Sequence, residues 1–350
     1  MKKFITIMAI IACTKTSYSQ DVHFSQVLNN PLHINPAETG GYEGYERLVM
    51  NYRTQWSAAN APYNTLGFSF DMPLFQGIFK NKSHLGLGIN FFSDKAGDAK
   101  MGSNQGNLSL AGIVKVDKNS KFVAGIQTGY AQRVVQLDKL RWATQFNGQE
   151  FDPTLPSYEG NMLASHGYMD FSGGLRYEYR NKSSHIKGFD VKYINLGVAM
   201  FHINQPNIKY HSGSNEQLYM KLVAHGSALF DIPNTELGVL PFFTFFKQAT
   251  QQEINIGLMM RFDLTPGTKI TGLLNESALY AGVQYRYGDA IIPTFEYRFT
   301  SFAVGLSYDM NISTLKTATN MRGGLEVSLK YHNLKGAIFK RRNNSRIYSE

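Results

Sequence analysis

The sequence predicts an all-β fold, a transmembrane outer-membrane β-barrel of about 14 antiparallel strands. Three observations carry this expectation. Most of the chain alternates between apolar and polar residues. The composition favours aromatic residues and glycine. The chain opens on a secretory signal, with no cysteine after it.

The alternation is clearest from 277 to 332. Phe302, Val304, Leu306, Tyr308 and Met310 interleave with Ala303, Gly305, Ser307, Asp309 and Asn311. Leu325, Val327, Leu329 and Tyr331 interleave with Glu326, Ser328, Lys330 and His332. A strand sends successive side chains to opposite faces, so each run is a strand with one apolar and one polar face. In a soluble or lipidated sandwich the apolar face meets a core. In a barrel it meets lipid while the polar face lines the lumen.

The same split recurs along the chain. Leu48, Met50, Tyr52 and Trp56 oppose Arg47, Asn51, Arg53 and Gln55. Leu66, Phe68 and Phe70 oppose Gly67, Ser69 and Asp71. Further runs begin near Leu85, Asn107, Phe122, Phe171, Lys192, Leu218, Leu237, Glu253, Leu279 and Ile292. Pro293 is out of place inside a strand and predicts a bulge or a strand start. The turn signals Asp117-Lys118-Asn119-Ser120 and Asp231-Ile232-Pro233-Asn234 mark tight connections on one side of the sheet. Residues 136–167, with Asp152-Pro153 and Leu155-Pro156, form a long loop on the other. An even strand count puts both chain ends on the side of the tight turns.

Composition agrees. There are 20 Tyr, 24 Phe and 32 Gly among 350 residues, with 17% charged. Barrels use aromatics in two interfacial girdles and small residues where strands bend. Mean hydropathy is -0.26, too low for a bundle of membrane helices but suited to strands that are half polar. Lys2 and Lys3, the apolar run from Phe4 to Ala12, and the small residues Ser17 and Ser19 read as a signal peptide cut after Ser19. Ile10-Ile11-Ala12-Cys13 also fits a permissive lipoprotein box, so processing at Cys13 stays open. Cys13 is the only cysteine. A barrel closed by hydrogen bonds needs no disulfide. Losing Lys2, Lys3 and Lys15 lowers the net charge from +9 to +6.

The expected layout is a signal peptide at 1–19, a periplasmic lead-in or plug at 20–45, the barrel at 46–333 and a basic periplasmic tail at 334–350. Asn29-Asn30-Pro31 and Asn35-Pro36 break the lead-in, which has room for one helical turn and could plug the barrel mouth. The tail carries Lys335, Lys340, Arg341, Arg342 and Arg346. An exported chain rarely meets nucleic acid, so no nucleic-acid partner is expected.

Nothing points to catalysis, a metal site or a cofactor. No two histidines have ligand spacing, and His202 and His211 read as solvated loop residues. No nucleophile elbow or phosphate loop is present. The polar face instead predicts lumen charges at Arg53, Lys115, Arg176, Glu178, Glu253, Arg261, Arg286, Asp309, Glu326 and Lys330. Their mixed signs favour a lumen closed by salt bridges over a selective pore. Gly288-Asp289-Ala290 predicts a tight hairpin.

Several ordered motifs resemble the PorP/SprF family. At the start these are Gln20-Asp21-Val22-His23-Phe24-Ser25-Gln26, Asn30-Pro31-Leu32, Asn35-Pro36-Ala37, Asn51-Tyr52-Arg53-Thr54-Gln55-Trp56 and Pro62-Tyr63-Asn64-Thr65. At the end they are Tyr285-Arg286-Tyr287-Gly288-Asp289-Ala290, Gly305-Leu306-Ser307-Tyr308-Asp309-Met310-Asn311 and Gly323-Gly324-Leu325. The resemblance implies an outer-membrane protein of the type IX secretion system of Bacteroidetes. It implies periplasmic ring proteins as partners and support for secretion or surface attachment of a large adhesin, including those of gliding motility. The resemblance further implies that some members hold the carboxyl-terminal domain of one secreted client at the surface. The function expected is therefore a non-enzymatic secretion and anchoring component. Its outer loops, chiefly 136–167 and 203–216, bind the client. A general or substrate-specific diffusion porin is the alternative.

Overall fold

The computed structural model describes residues 21–56, 62–76, 83–97, 99–159, 162, 164–181, 190–209, 212–213, 216–265, 277–314 and 316–333. The signal peptide, Cys13, Gln20, His211 and the basic tail lie outside the described residues.

Fourteen antiparallel strands close into one barrel. They are β1 (Arg47–Gln55), β2 (Tyr63–Leu74), β3 (His84–Ala96), β4 (Met101–Lys115), β5 (Ser120–Val134), β6 (Ser165–Arg180) and β7 (Asp190–Phe201). After the two short strands β8 (Asn207–Ile208) and β9 (Glu216–Gln217) come β10 (Lys221–Asp231), β11 (Leu237–Gln248) and β12 (Gln251–Thr265). Then follow β13 (Ser277–Arg286), β14 (Ala290–Phe299), β15 (Phe302–Asn311) and β16 (Arg322–His332). Closure comes from β1 against β16, from Arg47↔His332 to Gln55↔Gly324. β8 and β9 pair only with each other, inside one connection. Among the described residues no helix is long and apolar enough to cross a membrane.

The alternation sorts as two faces demand. Along β15, Phe302, Val304, Leu306 and Tyr308 are exposed on the outside, while Ala303, Gly305, Ser307 and Asp309 are buried within. Closure leaves the barrel no edge strand, so backbone groups pair around its circumference apart from short lapses in the ladders. Aromatic rings gather outside at both rims. Tyr297, Phe299, Phe302 and Tyr331 form a run of ring contacts at the rim where β1 begins and β16 ends, the terminal rim. Trp56 packs edge-on against Tyr63, and Tyr285 against Tyr287, at the opposite rim, the loop rim. These are the interfacial girdles of a membrane barrel.

The connection 135–164 is the longest and lies at the loop rim, and β6 begins at Ser165, slightly before the sequence pattern suggested. The 116–119 and 232–236 turns lie at the terminal rim. In the first, Asn119 and Ser120 N–H groups donate to Asp117 Oδ1 at 2.7 Å each. Those backbone bonds hold the Asp117 carboxyl below its ordinary range.

Two expectations need correction. Pro293 neither starts β14 nor bulges it. The register against β13 continues through Val283↔Pro293, and the ladder to β15 lapses between Ile291↔Met310 and Thr294↔Ser307. The ring has no N–H to donate, so the ladder loses pairs instead of shifting. Pro241 does the same: it keeps Leu258 on β12 while the β10 ladder lapses between Ser227↔Phe242 and Phe230↔Val239. The hairpin after β13 is also one residue earlier than expected, with Ala290 already paired to Arg286. Gly288 supplies the positive φ of 71° in that turn.

Leu306 lies mid-strand on the lipid face, so Leu306→Arg is expected to cost about 2–4 kcal/mol near the bilayer midplane. Heat-modifiable gel migration reads the folded fraction. It should fall for Leu306→Arg and stay near wild type for the inward-facing Ala303→Ser.

Candidate functional site

Residues 21–45 run through the barrel from one rim to the other. Asp21 sits at the loop rim, where its N–H donates to Gln248 Oε1 at 3.0 Å. Tyr45 N–H reaches the Asn333 carbonyl at 2.9 Å, at the terminal rim. The strand ends of β1 and β16 share a rim, but the described start of the chain lies at the opposite one. Between these points are three short turns, at Val27–Asn29, Pro31–Ile34 and Pro36–Glu38. The latter two open on proline, which fixes φ and has no N–H to leave unsatisfied there.

Strand glycines make room for this segment. A Cβ at Gly67 would lie 2.6 Å from the Phe24 ring, and one at Gly125 would lie 2.5 Å from Ala37 N. Side chains there would push the segment off the wall, so these glycines are seats for it as well as relief for strand curvature.

Polar contacts fix the segment along its length. Ser25 and Gln26 N–H groups donate to the Glu326 carboxylate at 2.6 and 3.1 Å. Ser25 Oγ donates to Asp309 Oδ1 at 2.7 Å. Arg53 and Arg286 reach Asp309 Oδ2 at 2.8 and 3.0 Å. Asn51 Nδ2 donates to Glu326 at 3.2 Å, and Arg53 also donates to the His23 carbonyl. Arg53 and Glu326 are each 1% exposed, so neither finds bulk water as a substitute. Farther along, Asn35 Nδ2 donates to the Leu175 and Val198 carbonyls at 3.1 and 3.3 Å. Glu38 takes Arg176 and Asn195, both at 2.7 Å. Gly40 N–H donates to Asp71, which is also paired with Arg47. Val27 and Ile34 complete the contact by packing on Val223, Leu240 and Phe242 of the wall.

The predicted lumen charges divide into groups. Arg53, Arg286, Asp309 and Glu326 form one cluster, joined by Glu253 at 3.5 Å from Arg286. Arg176 and Glu178 form a second, at 3.0 Å, with Glu178 also meeting Lys121 and Arg180. Arg261 lies near the terminal rim between Asp231 and Asp263. Lys330 donates to Asn29 Oδ1 at 2.8 Å. Lys115 ends β4 at the rim, half-buried and outside both clusters.

The motif residues surround the first cluster. Trp56 N–H donates to the Gly323 carbonyl at 2.9 Å. Gly324 lies across from both Gln55 and Asp309. Asn311 Nδ2 reaches Thr319 Oγ1 at 3.2 Å, and Asp289 carboxylate oxygens meet Arg286 and Ser313. Tyr52 and Tyr308 face outward, the Tyr52 hydroxyl donating to Asn64 Oδ1 at 3.2 Å.

His202 overturns the expectation of a solvated loop histidine. It is 2% exposed, with Nδ1 2.9 Å from Asp170 Oδ1 and Nε2 3.1 Å from Asp21 Oδ2. Burial opposes its charge, but the two carboxylates prevail and hold its pKa up at about 9. Lys221 adds a contact to Asp21 at 3.5 Å. Asp170 keeps the inward parity of Ser172 and Arg176, a signal that could have found it. Asp21 and Glu38 lie in irregular backbone, where no period marks them. Among the described residues no group of three His, Cys, Asp or Glu is placed to hold a metal ion.

A family model described as type IX secretion system membrane protein PorP/SprF matches residues 16–331. The chain belongs to that family. The family places it in the outer membrane as a component of type IX secretion, in keeping with the lipid-facing barrel. No curated protein matches the chain significantly. Among solved structures it is similar to the toluene transporter TbuX of Ralstonia pickettii, at 9% identity over 85% of this chain and 92% of that one, TM-score 0.46. It is similar to the toluene transporter TodX of Pseudomonas putida, at 9% identity over 91% and 95%, TM-score 0.46. BamA of Haemophilus ducreyi lacking POTRA domains 1–3 aligns at 9% identity over 82% and 70%, TM-score 0.40.

Removing Arg53 leaves two buried carboxylates short of a partner. Arg53→Ala is expected to destabilise the protein by about 3–5 kcal/mol, read as a lower temperature of gel-mobility conversion. The contact of Asp21 with His202 is fully charged below the ordinary histidine pKa of about 6.5 and is lost as pH rises through about 9. Aminopeptidase trimming past Asp21 should therefore be slow at pH 7 and faster at pH 10. In His202→Gln the two rates should differ only as they do on an unfolded control peptide.

Proposed function

We propose that this protein is a non-enzymatic, plugged barrel that supports secretion and surface anchoring of a large secreted client through its loop rim. The observation that carries the reading is the plug across the lumen. Family membership ties the chain to secretion, yet residues 21–45 occupy the channel from rim to rim. What remains available for a client is the loop rim, which faces the exterior if the tight turns and strand ends face the periplasm. Its longest connection offers local order with exposed rings. Leu137–Lys139 and Ala143–Gln145 form tight turns, Phe146 bridges to Phe151, and Arg141 lies over the Phe151 ring at 5.0 Å. Phe146 and Tyr158 are 58% and 81% exposed. Exposed aromatics on an ordered loop are apt anchors for a protein partner. The terminal rim and the basic tail are left for periplasmic ring proteins, and the adhesins of gliding motility are the kind of client this arrangement serves.

Deleting 143–159 in the native organism should release the client into the medium while the barrel still reaches the outer membrane. Retention of the client on the cell surface would count against loop anchoring. Purified protein in a planar bilayer should show no steady current. A large, constant conductance would favour the diffusion-porin reading.

A further inference from the structure

The plug does not fill the whole lumen. Beside its contacts to β1, β6, β7, β10, β11, β13, β15 and β16 it leaves a cavity of 850 Å³, lined largely by β10 to β14 and open at the terminal rim. That volume is in the range of about 300–1,000 Å³ usual for ligand sites. Leu28, Ile34, Leu229, Leu240, Phe242 and Ala278 give it an apolar floor.

Its mouth has a second chemistry. Three guanidinium groups lie over tyrosine rings on the cavity wall: Arg47 over Tyr42 at 4.4 Å, Arg180 over Tyr193 at 4.6 Å and Arg298 over Tyr280 at 4.0 Å. Stacking holds such groups in place and leaves their edges able to donate. Charge is balanced on part of the wall, where Arg261 and Lys192 meet Asp231 and Asp263 and the exposed Glu236 stands nearby. Among the described residues and the ion pairs they form, cations outnumber carboxylates by one at two positions. Lys121, Arg176 and Arg180 share Glu178 and Glu38. Arg298 and Lys330 share the wall with Glu296. Arg180 on β6 and Arg298 on β14 stand six places apart in the ring of 14 strands, nearly across the mouth.

We propose that this cavity receives a peptide segment of a periplasmic partner, with apolar side chains on the floor and a carboxylate toward each cation-rich corner. The proposal rests on the secretion reading for the identity of the partner, but its chemistry can be tested without a client. Charge complementarity selects an acidic segment. It disfavours the protein's own tail, where 334–350 carries five Lys and Arg against one Glu. Mixed polar and apolar lining suits a peptide better than an acyl chain.

The test uses the full mature chain in lipid nanodiscs and a fluorescent, end-capped peptide, Glu-Leu-Phe-Gly-Leu-Phe-Glu. A second peptide has lysine at both ends. Anisotropy should show saturable binding of the first and at least about tenfold weaker binding of the second. Arg298→Gln with Lys330→Gln should weaken the acidic peptide by about tenfold. Ser301→Glu, which adds a charge at the mouth without breaking a pair, should weaken it too and guards against misfolding of the first variant. Equal binding of both peptides, or of neither, overturns the proposal. So does binding that appears only after 334–350 is removed, or saturable binding of dodecanoate but not of the acidic peptide. The client-release assay is unaffected by any of these outcomes, so the two readings fail separately.

Discussion

Two carboxylates, Asp309 and Glu326, set the terms for the rest of the molecule. They project into a lumen that is closed to bulk water around them, at 2% and 1% exposure. A buried anion is tolerated only with partners of good geometry, because its desolvation cost is large. Arg53 and Arg286 supply opposite charge, and Ser25 and Gln26 supply backbone and hydroxyl donors from the segment before the barrel. The wall therefore depends on the plug. The plug in turn has its Glu38 carboxylate and its apolar Val27 and Ile34 matched on the wall. Sheet closure, the bound plug and the fixed path of residues 21–45 follow as one coupled solution.

That coupling bears on what the protein can do. A pore needs a lumen whose polar groups are satisfied by water and ions in transit. Here many of them bond to the plug or to one another, so passage requires the plug to leave and several buried charges to lose partners together. The surfaces that can meet other molecules without that cost are the rims. The loop rim carries an ordered aromatic connection, and the terminal rim carries a cavity with stacked arginines.

Much of the barrel was legible because period two is imposed by lipid on one side and by polar lumen on the other. The strand from Phe302 to Asn311 is readable by eye, and Arg53, Arg176 and Glu326 are buried. The connections were less legible where proline enters: Pro293 disrupts one ladder without moving the register, and no local pattern distinguishes that outcome from a bulge. The plug was hardest to read. Asp21, Ser25, Asn35 and Glu38 sit in loops and short turns, and their partners lie at His202, Asp309, Leu175 and Asn195, far away in sequence. Gly67 and Gly125 look like ordinary small lumen residues until something is found lying against them. His202 misled for the same reason, since its burial comes from Asp21, a residue no periodicity places.

Hydrogen exchange in native outer membranes tests the bound plug most directly. The amides of Ser25, Gln26 and Gly40 donate to buried carboxylates. Peptides covering 25–41 should exchange as slowly as those from β1 and β16 and on a far longer timescale than exposed residues 143–159. Exchange of 25–41 at the rate of an unstructured chain, with the strands still protected, would contradict the account.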